Sequence, residues 1–156
     1  MSGADASNSQ RDRDVETLAQ SKTSQSNERE SFLVLIAEDE EPIAEAIAML
    51  VEDCGYTPLI ANNGRQALEL ARRHRPALII TDLMMPYLDG DELIATLKRD
   101  AARDAHTTPP IILLSAAGLR RMKIAGADVL LPKPFELDEL EALLRRFLGP
   151  PPSGKK

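Results

Sequence analysis

The sequence predicts an α/β protein in which five parallel strands form one sheet with helices on both faces. Strand-like apolar runs alternate with amphipathic helical segments five times between residues 31 and 148. Most of these runs are continuously apolar, which is typical of strands that are covered on both faces. Because each right-handed crossover returns the chain to the sheet through a helix, this alternation predicts a doubly wound (βα)5 sheet.

The five strand candidates are short apolar runs bounded by polar or turn-forming residues. Their length and their content of Val, Ile and Leu favour strands over helices. They lie at residues 32–37, 56–61, 77–81, 111–115 and 128–131.

Start and stop signals mark the helices between these strands. Pro is favoured in a first helical turn, and Asn or Asp can cap a helix. The first three helices are predicted to begin at Glu41-Pro42, Asn63 and Asp89-Gly90. A short fourth helix is predicted between Ala117 and Gly126. The predicted inward face of the fifth helix carries Leu137, Leu140, Leu144 and Leu148.

Length and composition are those of a single folded domain. The chain has 156 residues, of which 43% are hydrophobic and 28% are charged, so one core can form but a second domain does not fit. The net charge is −6 and basic residues are not clustered beyond short pairs, which argues against direct binding of nucleic acid. The lone Cys54 cannot form an internal disulfide, and no apolar stretch has the length of a membrane span or a secretory signal. We therefore expect a cytoplasmic protein without a membrane partner.

The two ends of the chain differ in composition from the middle. Residues 1–30 hold only six apolar side chains among Ser, Gln, Asn, Asp and Arg, too few to offset the entropy of ordering them. Residues 149–156 are a Pro, Gly and Lys tail in which successive prolines prevent a helix. We predict that both segments are disordered and that residues 31–148 form the folded domain.

Carboxylates, a hydroxyl and an ammonium terminate four of the predicted strands. They are Glu38-Asp39 after the first strand, Asp82 after the third, Ser115 after the fourth and Lys133 after the fifth. In a parallel sheet these ends lie at one edge, where ligands of such sheets bind. Taken singly, each group is more often a turn residue, a helix cap or a surface charge. Their combination indicates a site.

The chemistry of this set favours Mg²⁺-assisted transfer of a phosphoryl group to a carboxylate. Asp39 and Asp82 can each give Mg²⁺ one oxygen, and Glu38 can hold a coordinated water. Asp82 can attack phosphorus in line as the nucleophile, while Lys133 neutralises charge on the phosphoryl group and Ser115 hydrogen-bonds one of its oxygens.

Four motifs in this order resemble those of the receiver domain of two-component response regulators. They are Glu38-Asp39, the segment Thr-Asp-Leu-Met-Met-Pro-Tyr-Leu-Asp-Gly that contains Asp82, Ser115, and Lys133-Pro134-Phe135. The resemblance covers residues 31–148. It implies a flavodoxin-like strand order of 2-1-3-4-5.

The resemblance also implies a role for each site residue. Asp82 corresponds to the phosphoacceptor, and Ser115 and Lys133 to the residues that contact the phosphoryl group. The backbone carbonyl of Met84 completes a magnesium site with the side chains of Glu38, Asp39 and Asp82. The Lys133–Pro134 peptide bond is expected to be cis, as it usually is in this family.

The implied function is that of a stand-alone phosphoacceptor in a phosphorelay. A histidine kinase or a histidine phosphotransfer protein is the expected donor, and a separate effector protein is expected to read the phosphorylated state. We do not expect an enzyme that acts on a further substrate. A haloacid-dehalogenase phosphatase needs a second acid two positions after the nucleophile, where Met84 stands. The remaining alternative is a receiver-like scaffold that binds a partner regardless of phosphorylation.

Three departures from the common family pattern bear on these alternatives. Leu130 stands where an aromatic reporter of the switch is usual, and the stretch from Ser115 to Lys133 is about one helical turn shorter than usual. Glu38 replaces the more frequent Asp, which the family tolerates. The first two departures favour the scaffold, whereas the complete set of site residues favours the phosphoacceptor.

Overall fold

Five strands and four helices make up the described part of the chain. The structure is a computed structural model that describes residues 32–116 and 126–150. In chain order the elements are β1 (Leu33–Ala37), α1 (Glu41–Asp53), β2 (Thr57–Ala61), α2 (Gly64–His74), β3 (Leu78–Asp82), α3 (Gly90–Arg103), β4 (Ile111–Ser115), β5 (Val129–Pro132) and α4 (Leu137–Leu148). All strand pairs are parallel, and the sheet order is β2-β1-β3-β4-β5. The predicted fold class and strand order are confirmed.

Some predicted features fall outside this part of the chain. They are the N-terminal segment 1–30, most of the tail 149–156, and the predicted short helix between Ala117 and Gly126 apart from Gly126 itself. Among the helices that are described, none has both the length and the apolar character that a bilayer-spanning helix requires.

The core consists of two apolar layers, one on each face of the sheet. Alternate side chains of β1, such as Val34 and Leu35, point to opposite faces and are fully buried in different layers. One layer includes side chains of α1 and α4, and the other includes side chains of α2 and α3. Each fully buried Leu or Ile contributes about 1.5–3 kcal/mol through removal of apolar surface from water. The two layers fix the sheet and so fix where the strands end.

Helix caps follow the predicted signals. The side chain of Asn63 accepts a hydrogen bond from the Gln66 N–H at the start of α2, and Asp89 does the same for Glu92 at the start of α3, both at 2.8 Å. Pro42 lies in the first turn of α1, as expected. The capping box formed by Glu136 and Glu139 at the start of α4 is an additional feature that the sequence analysis did not identify.

Leu137 departs from the predicted pattern. Its side chain is 46% exposed, whereas Leu140 and Leu144 on the same helix are fully buried. Leu137 belongs to the first turn of α4, where it lines a groove beside α1 rather than the core. The helical period alone therefore placed it inward wrongly.

An ion pair joins α2 to α3 on the face opposite α1. The Asp100 carboxylate is mostly buried and accepts hydrogen bonds from Arg72 Nε at 2.7 Å and from Arg72 Nη2 at 3.2 Å. Arg103 lies 3.5 Å from the same carboxylate. The hydrogen bonds from Arg72, aided by the charges of Arg72 and Arg103, hold the pKa of Asp100 below its ordinary value despite burial.

Asp100→Asn tests the contribution of this ion pair. A depressed pKa means that the charged pair stabilises the fold above about pH 4, and that this stabilisation is lost as the pH falls through the depressed value. We expect the variant to lose about 1–2 kcal/mol at pH 7, because Arg72 is half-exposed and partly screened. Urea unfolding at neutral and at acidic pH measures the difference in unfolding free energy between the wild type and the variant. This difference should be smaller in acid. The control is Asp104→Asn at an exposed neighbouring acid, and a difference that is equally large at both pH values would contradict the expectation.

Candidate functional site

The predicted site residues lie at the carboxyl edge of the sheet. Asp82 and Ser115 are the last residues of β3 and β4, Glu38 and Asp39 directly follow β1, and Lys133 directly follows β5. Parallel pairing brings these strand ends to the same edge. Asp82 is thus the last residue of β3, whereas the sequence predicted that it directly follows the strand.

Three carboxylates form a cluster at this edge. One oxygen from each of Glu38, Asp39 and Asp82 lies within 4.8 Å of the other two. Glu38 is fully buried and Asp82 nearly so, whereas Asp39 is exposed. Like charges at this spacing repel one another by about 3 kcal/mol per pair at an effective dielectric constant of 20. The cluster therefore favours a bound cation.

Lys133 bridges the two buried acids. Its Nζ donates to Glu38 Oε1 at 2.9 Å and lies 3.3 Å from Asp82 Oδ2. The backbone N–H of Glu40 donates to the other Glu38 oxygen, Oε2, at 3.2 Å. Lys133 thus reaches Asp82 from a strand that is not a neighbour of β1 or β3.

Burial and pairing shift the pKa values of this pair. Burial is the main reason that the pKa of Glu38 is raised, and the hydrogen bond from Lys133 only partly opposes it. Burial by itself lowers the pKa of Lys133, but the hydrogen bond to Glu38 and the charge of Asp82 outweigh it and raise that pKa. Lys133 therefore keeps its positive charge at neutral pH.

Ser115 is buried and lies beside the acidic cluster. Asp82 pairs in register with Leu114, the residue before Ser115. The Lys133 N–H donates to the Ser115 carbonyl at 2.7 Å, so the backbone of one site residue holds that of the other. The Lys133–Pro134 peptide bond is cis, which confirms that expectation.

The loop after Asp82 carries exposed apolar side chains. Met84 is 72% exposed and Tyr87 is 77% exposed. The far end of this loop is held by Gly90, whose N–H donates to the Leu83 carbonyl at 2.8 Å. A Cβ on Gly90 would lie 2.4 Å from the Asp82 carbonyl oxygen, so only glycine permits this close approach. The sequence predicted a helix start at Gly90 but gave no indication of its contact with the Asp82 carbonyl oxygen.

The donor set fits Mg²⁺. Carboxylate oxygens are the hard ligands that Mg²⁺ prefers, and it commonly binds through one or two carboxylates while it keeps several waters. Asp39 and Asp82 are suited to direct contact. Both Glu38 oxygens already accept hydrogen bonds from Lys133 and Glu40, so Glu38 is better suited to hold a metal-bound water.

These features define a class of protein: a doubly wound α/β domain with an acidic pocket and one lysine at the carboxyl edge of its sheet. Comparison with known families assigns that class. The family described as the response regulator receiver domain matches residues 34–145, and the chain belongs to this family.

Curated relatives are response regulators. The chain is 35% identical over 125 residues to the response regulator Rre1 of Synechocystis, which covers 77% of this chain and 53% of that protein. It is 41% identical over 119 residues to the phosphate regulon transcriptional regulatory protein PhoB of Pseudomonas aeruginosa, which covers 74% of this chain and 51% of that protein. The chain therefore spans about half the length of these relatives.

Solved structures show the same fold. The chemotaxis response regulator CheY4 of Vibrio cholerae matches with a TM-score of 0.67 at 29% identity, over 74% of this chain and 98% of that one. The receiver domain of the Francisella response regulator 1452 matches with a TM-score of 0.64 at 32% identity, over 74% of this chain and 95% of that one.

Thermal unfolding tests whether the acidic cluster binds a divalent ion. Mg²⁺ at a hundredfold excess over its dissociation constant should stabilise the wild type by about 2.7 kcal/mol, because the ion binds only the folded state. Asp39→Asn should lose most of this gain and should also stabilise the metal-free protein slightly, since one of three like charges is removed. Glu45→Gln, at an exposed acid on α1, is the control. A wild-type melting temperature that does not respond to millimolar Mg²⁺ would exclude an assembled metal site.

Proposed function

We propose that this chain is a phosphoacceptor of a two-component phosphorelay. Asp82 receives a phosphoryl group from a phosphohistidine on a histidine kinase or a histidine phosphotransfer protein, and a separate effector protein reads the phosphorylated state. The chain assists its own phosphorylation and dephosphorylation but is not an enzyme with a further substrate. The observation that carries this proposal is the contact of Lys133 with both Glu38 and Asp82 inside a cluster of three carboxylates.

The transfer step is a displacement at phosphorus. A carboxylate oxygen of Asp82 forms a bond to phosphorus as the bond from phosphorus to the donor imidazole nitrogen breaks, and the imidazole takes up a proton. Lys133 lies beside Asp82 and can move its contact from the carboxylate to the arriving phosphoryl oxygens. The Ser115 hydroxyl can donate to another of those oxygens. Asp39, Asp82 and the Met84 carbonyl would hold Mg²⁺, with Glu38 on a bound water, and the ion would further neutralise the phosphoryl charge.

An apolar groove next to Lys133 supports a protein donor. The groove has a volume of about 520 Å³ and lies between α1 and the segment that leads from β5 into α4. Its lining side chains are Pro42, Ile43, Ala46, Ile47, Lys133, Pro134, Phe135 and Leu137. An amphipathic helix can lay its apolar face in such a groove. A donor helix placed there would bring its phosphohistidine to the edge of the sheet where Asp82 lies, and it would cover the exposed Leu137.

One observation favours the scaffold alternative. Leu130 lies in β5 and packs partly buried against the apolar layer of α2 and α3. An aliphatic side chain in that position has no ring or hydroxyl that could change partners on phosphorylation. A receiver that keeps its site but transmits no change would bind its partner equally well in both states. The phosphoacceptor function requires phosphorylation of Asp82, whereas the scaffold function does not, and phosphorylation can be measured.

Phosphorylation of the purified chain tests the phosphoacceptor function. The wild type should form an acyl phosphate with acetyl phosphate or with a cognate kinase, and only when Mg²⁺ is present. Asp82→Asn should lower the labelling by at least about 100-fold, since the nucleophile is gone. Phosphate-affinity gels measure the shifted band, and Asp91→Asn, at an exposed acid close by on α3, should be labelled like the wild type. A labelled Asp82→Asn would place the chemistry elsewhere, and an unlabelled wild type with both donors would favour the scaffold.

The lifetime of the phosphorylated state should depend on Met84. In this family the residue two positions after the phosphoacceptor faces the water that attacks phosphorus, and the exposed Met84 cannot hydrogen-bond that water usefully. Met84→Asn should shorten the lifetime of the purified phosphoprotein by about tenfold, because the amide can orient the water. Met49→Asn makes the same substitution at an exposed methionine on α1, away from the site, and is the control. Equal decay rates in all three proteins would show that Met84 does not control hydrolysis.

A further inference from the structure

The first residue of α2 is in unusually close contact with the loop that follows Asp82. A Cβ added to Gly64 would lie 1.7 Å from the carbonyl oxygen of Leu88 and 2.6 Å from its carbonyl carbon. The contact is with backbone, which cannot move aside as the end of a flexible side chain can. Any residue larger than glycine at position 64 therefore displaces either the loop or the start of α2.

The loop cannot easily absorb such a displacement, because backbone contacts already hold it at its far end and in its middle. At one end, Gly90 lies against the Asp82 carbonyl and donates its N–H to the Leu83 carbonyl. In the middle, the Leu88 N–H donates to the Pro86 carbonyl at 2.8 Å. The other support is the contact between Leu88 and Gly64.

The backbone of Tyr87 indicates that these contacts impose the shape of the loop. Tyr87 has a φ of 70°, a left-handed conformation that is disfavoured for a bulky side chain. Its ring is exposed, so core burial does not offset that cost. The guanidinium of Arg65, the residue after Gly64, lies 6.0 Å from the ring centroid. Tyr87 thus adopts this disfavoured conformation directly beside the contact between Leu88 and the start of α2.

We propose that Gly64 is a positioning residue for the phosphoacceptor site. The missing side chain lets Leu88 contact the start of α2, and this contact holds the loop whose Met84 carbonyl would complete the magnesium shell beside Asp82. Gly64 acts through Leu88 and touches neither the metal nor the phosphoryl group. The inference rests on the proposed function for the role of Met84, but the mechanical link between Gly64 and the loop does not depend on that function.

Gly64→Ala, compared with Asn63→Ala, tests this link. Both changes lie at the same end of α2, where Asn63→Ala removes the cap that accepts from the Gln66 N–H. Only the first change adds an atom against Leu88. Hydrogen exchange of the metal-free proteins reports the order of residues 83–90 directly, and the dependence of melting temperature on Mg²⁺ concentration reports the affinity of the site.

The two variants should behave differently in both measurements. Gly64→Ala should speed exchange in residues 83–90 by about tenfold relative to Asn63→Ala at matched distance from the melting temperature. It should also weaken Mg²⁺ binding by about 10- to 100-fold, the usual effect of a lost contact behind a metal ligand. Asn63→Ala should lower the melting temperature and keep the wild-type response to Mg²⁺. Equal loop exchange and equal Mg²⁺ affinity in the two variants would overturn the proposal.

Two further results keep this test separate from that of the proposed function. If the wild type itself does not bind Mg²⁺, the proposed function fails, and the exchange measurement on metal-free protein still supports or overturns the role of Gly64. If Gly64→Ala does not fold, Leu88→Gly is the second variant, because it adds no atom and removes the Leu88 Cβ, which also lies next to Gly64. Faster exchange confined to residues 83–90 in Leu88→Gly supports the proposal, and unchanged exchange there overturns it.

Discussion

The ammonium of Lys133, between the carboxylates of Glu38 and Asp82, is the interaction on which the site depends. Glu38 is fully buried, and a buried carboxylate without a partner costs several kcal/mol. Lys133 offsets that cost through a 2.9 Å hydrogen bond and leaves its charge within reach of Asp82. The same contact therefore makes the acidic pocket compatible with folding, and it places a positive charge where the phosphoryl group of the proposed function would arrive.

The sheet provides the rigidity that this contact needs. Lys133 follows the edge strand β5, and Glu38 follows β1, which is separated from β5 by two strands. The intervening strands, β3 and β4, are buried along their whole length. Because the two apolar layers fix the register of these strands, the spacing between the ammonium and the two acids is set by the core and not by the loops. The exposed Met84 and Tyr87, in the loop after Asp82, take no part in this ion pair.

The fold and the membership of the acidic cluster could be predicted from the sequence because both depend on local patterns. Continuous apolar runs specify buried parallel strands, and the polar residue that ends each run is carried to a common edge by the topology. The roles of these residues remain proposals, since neither the fold nor the relatives measure phosphorylation. The exposure of Leu137 could not be predicted, because helical periodicity gives the face of a helix but not where the core ends along it.

Other features depend on contacts between distant parts of the chain, which periodicity does not report. Arg72 and Asp100 are 28 residues apart and meet only because α2 and α3 pack on the same face of the sheet. In the sequence, Gly64 is a small residue that follows the helix cap Asn63. Its close approach to Leu88 depends on the position of the loop after Asp82, which the sequence pattern does not give. Gly64 and Gly90 are the sequence features that come closest to indicating these backbone contacts. Each stands at a helix start, where a better helix former is otherwise favoured.

The charges of the pocket favour binding of a divalent cation before the arrival of a phosphoryl group. Three carboxylates face one ammonium, so the pocket is formally anionic and repels phosphate on its own. A bound divalent cation compensates the excess acid charge and frees Lys133 from its role as the main counterion. Lys133 can then turn toward an arriving phosphoryl oxygen while Glu38 remains satisfied by the Glu40 N–H. Under the proposed function, phosphorylation would therefore follow metal binding, because the single ammonium cannot neutralise both the acids and the phosphoryl group.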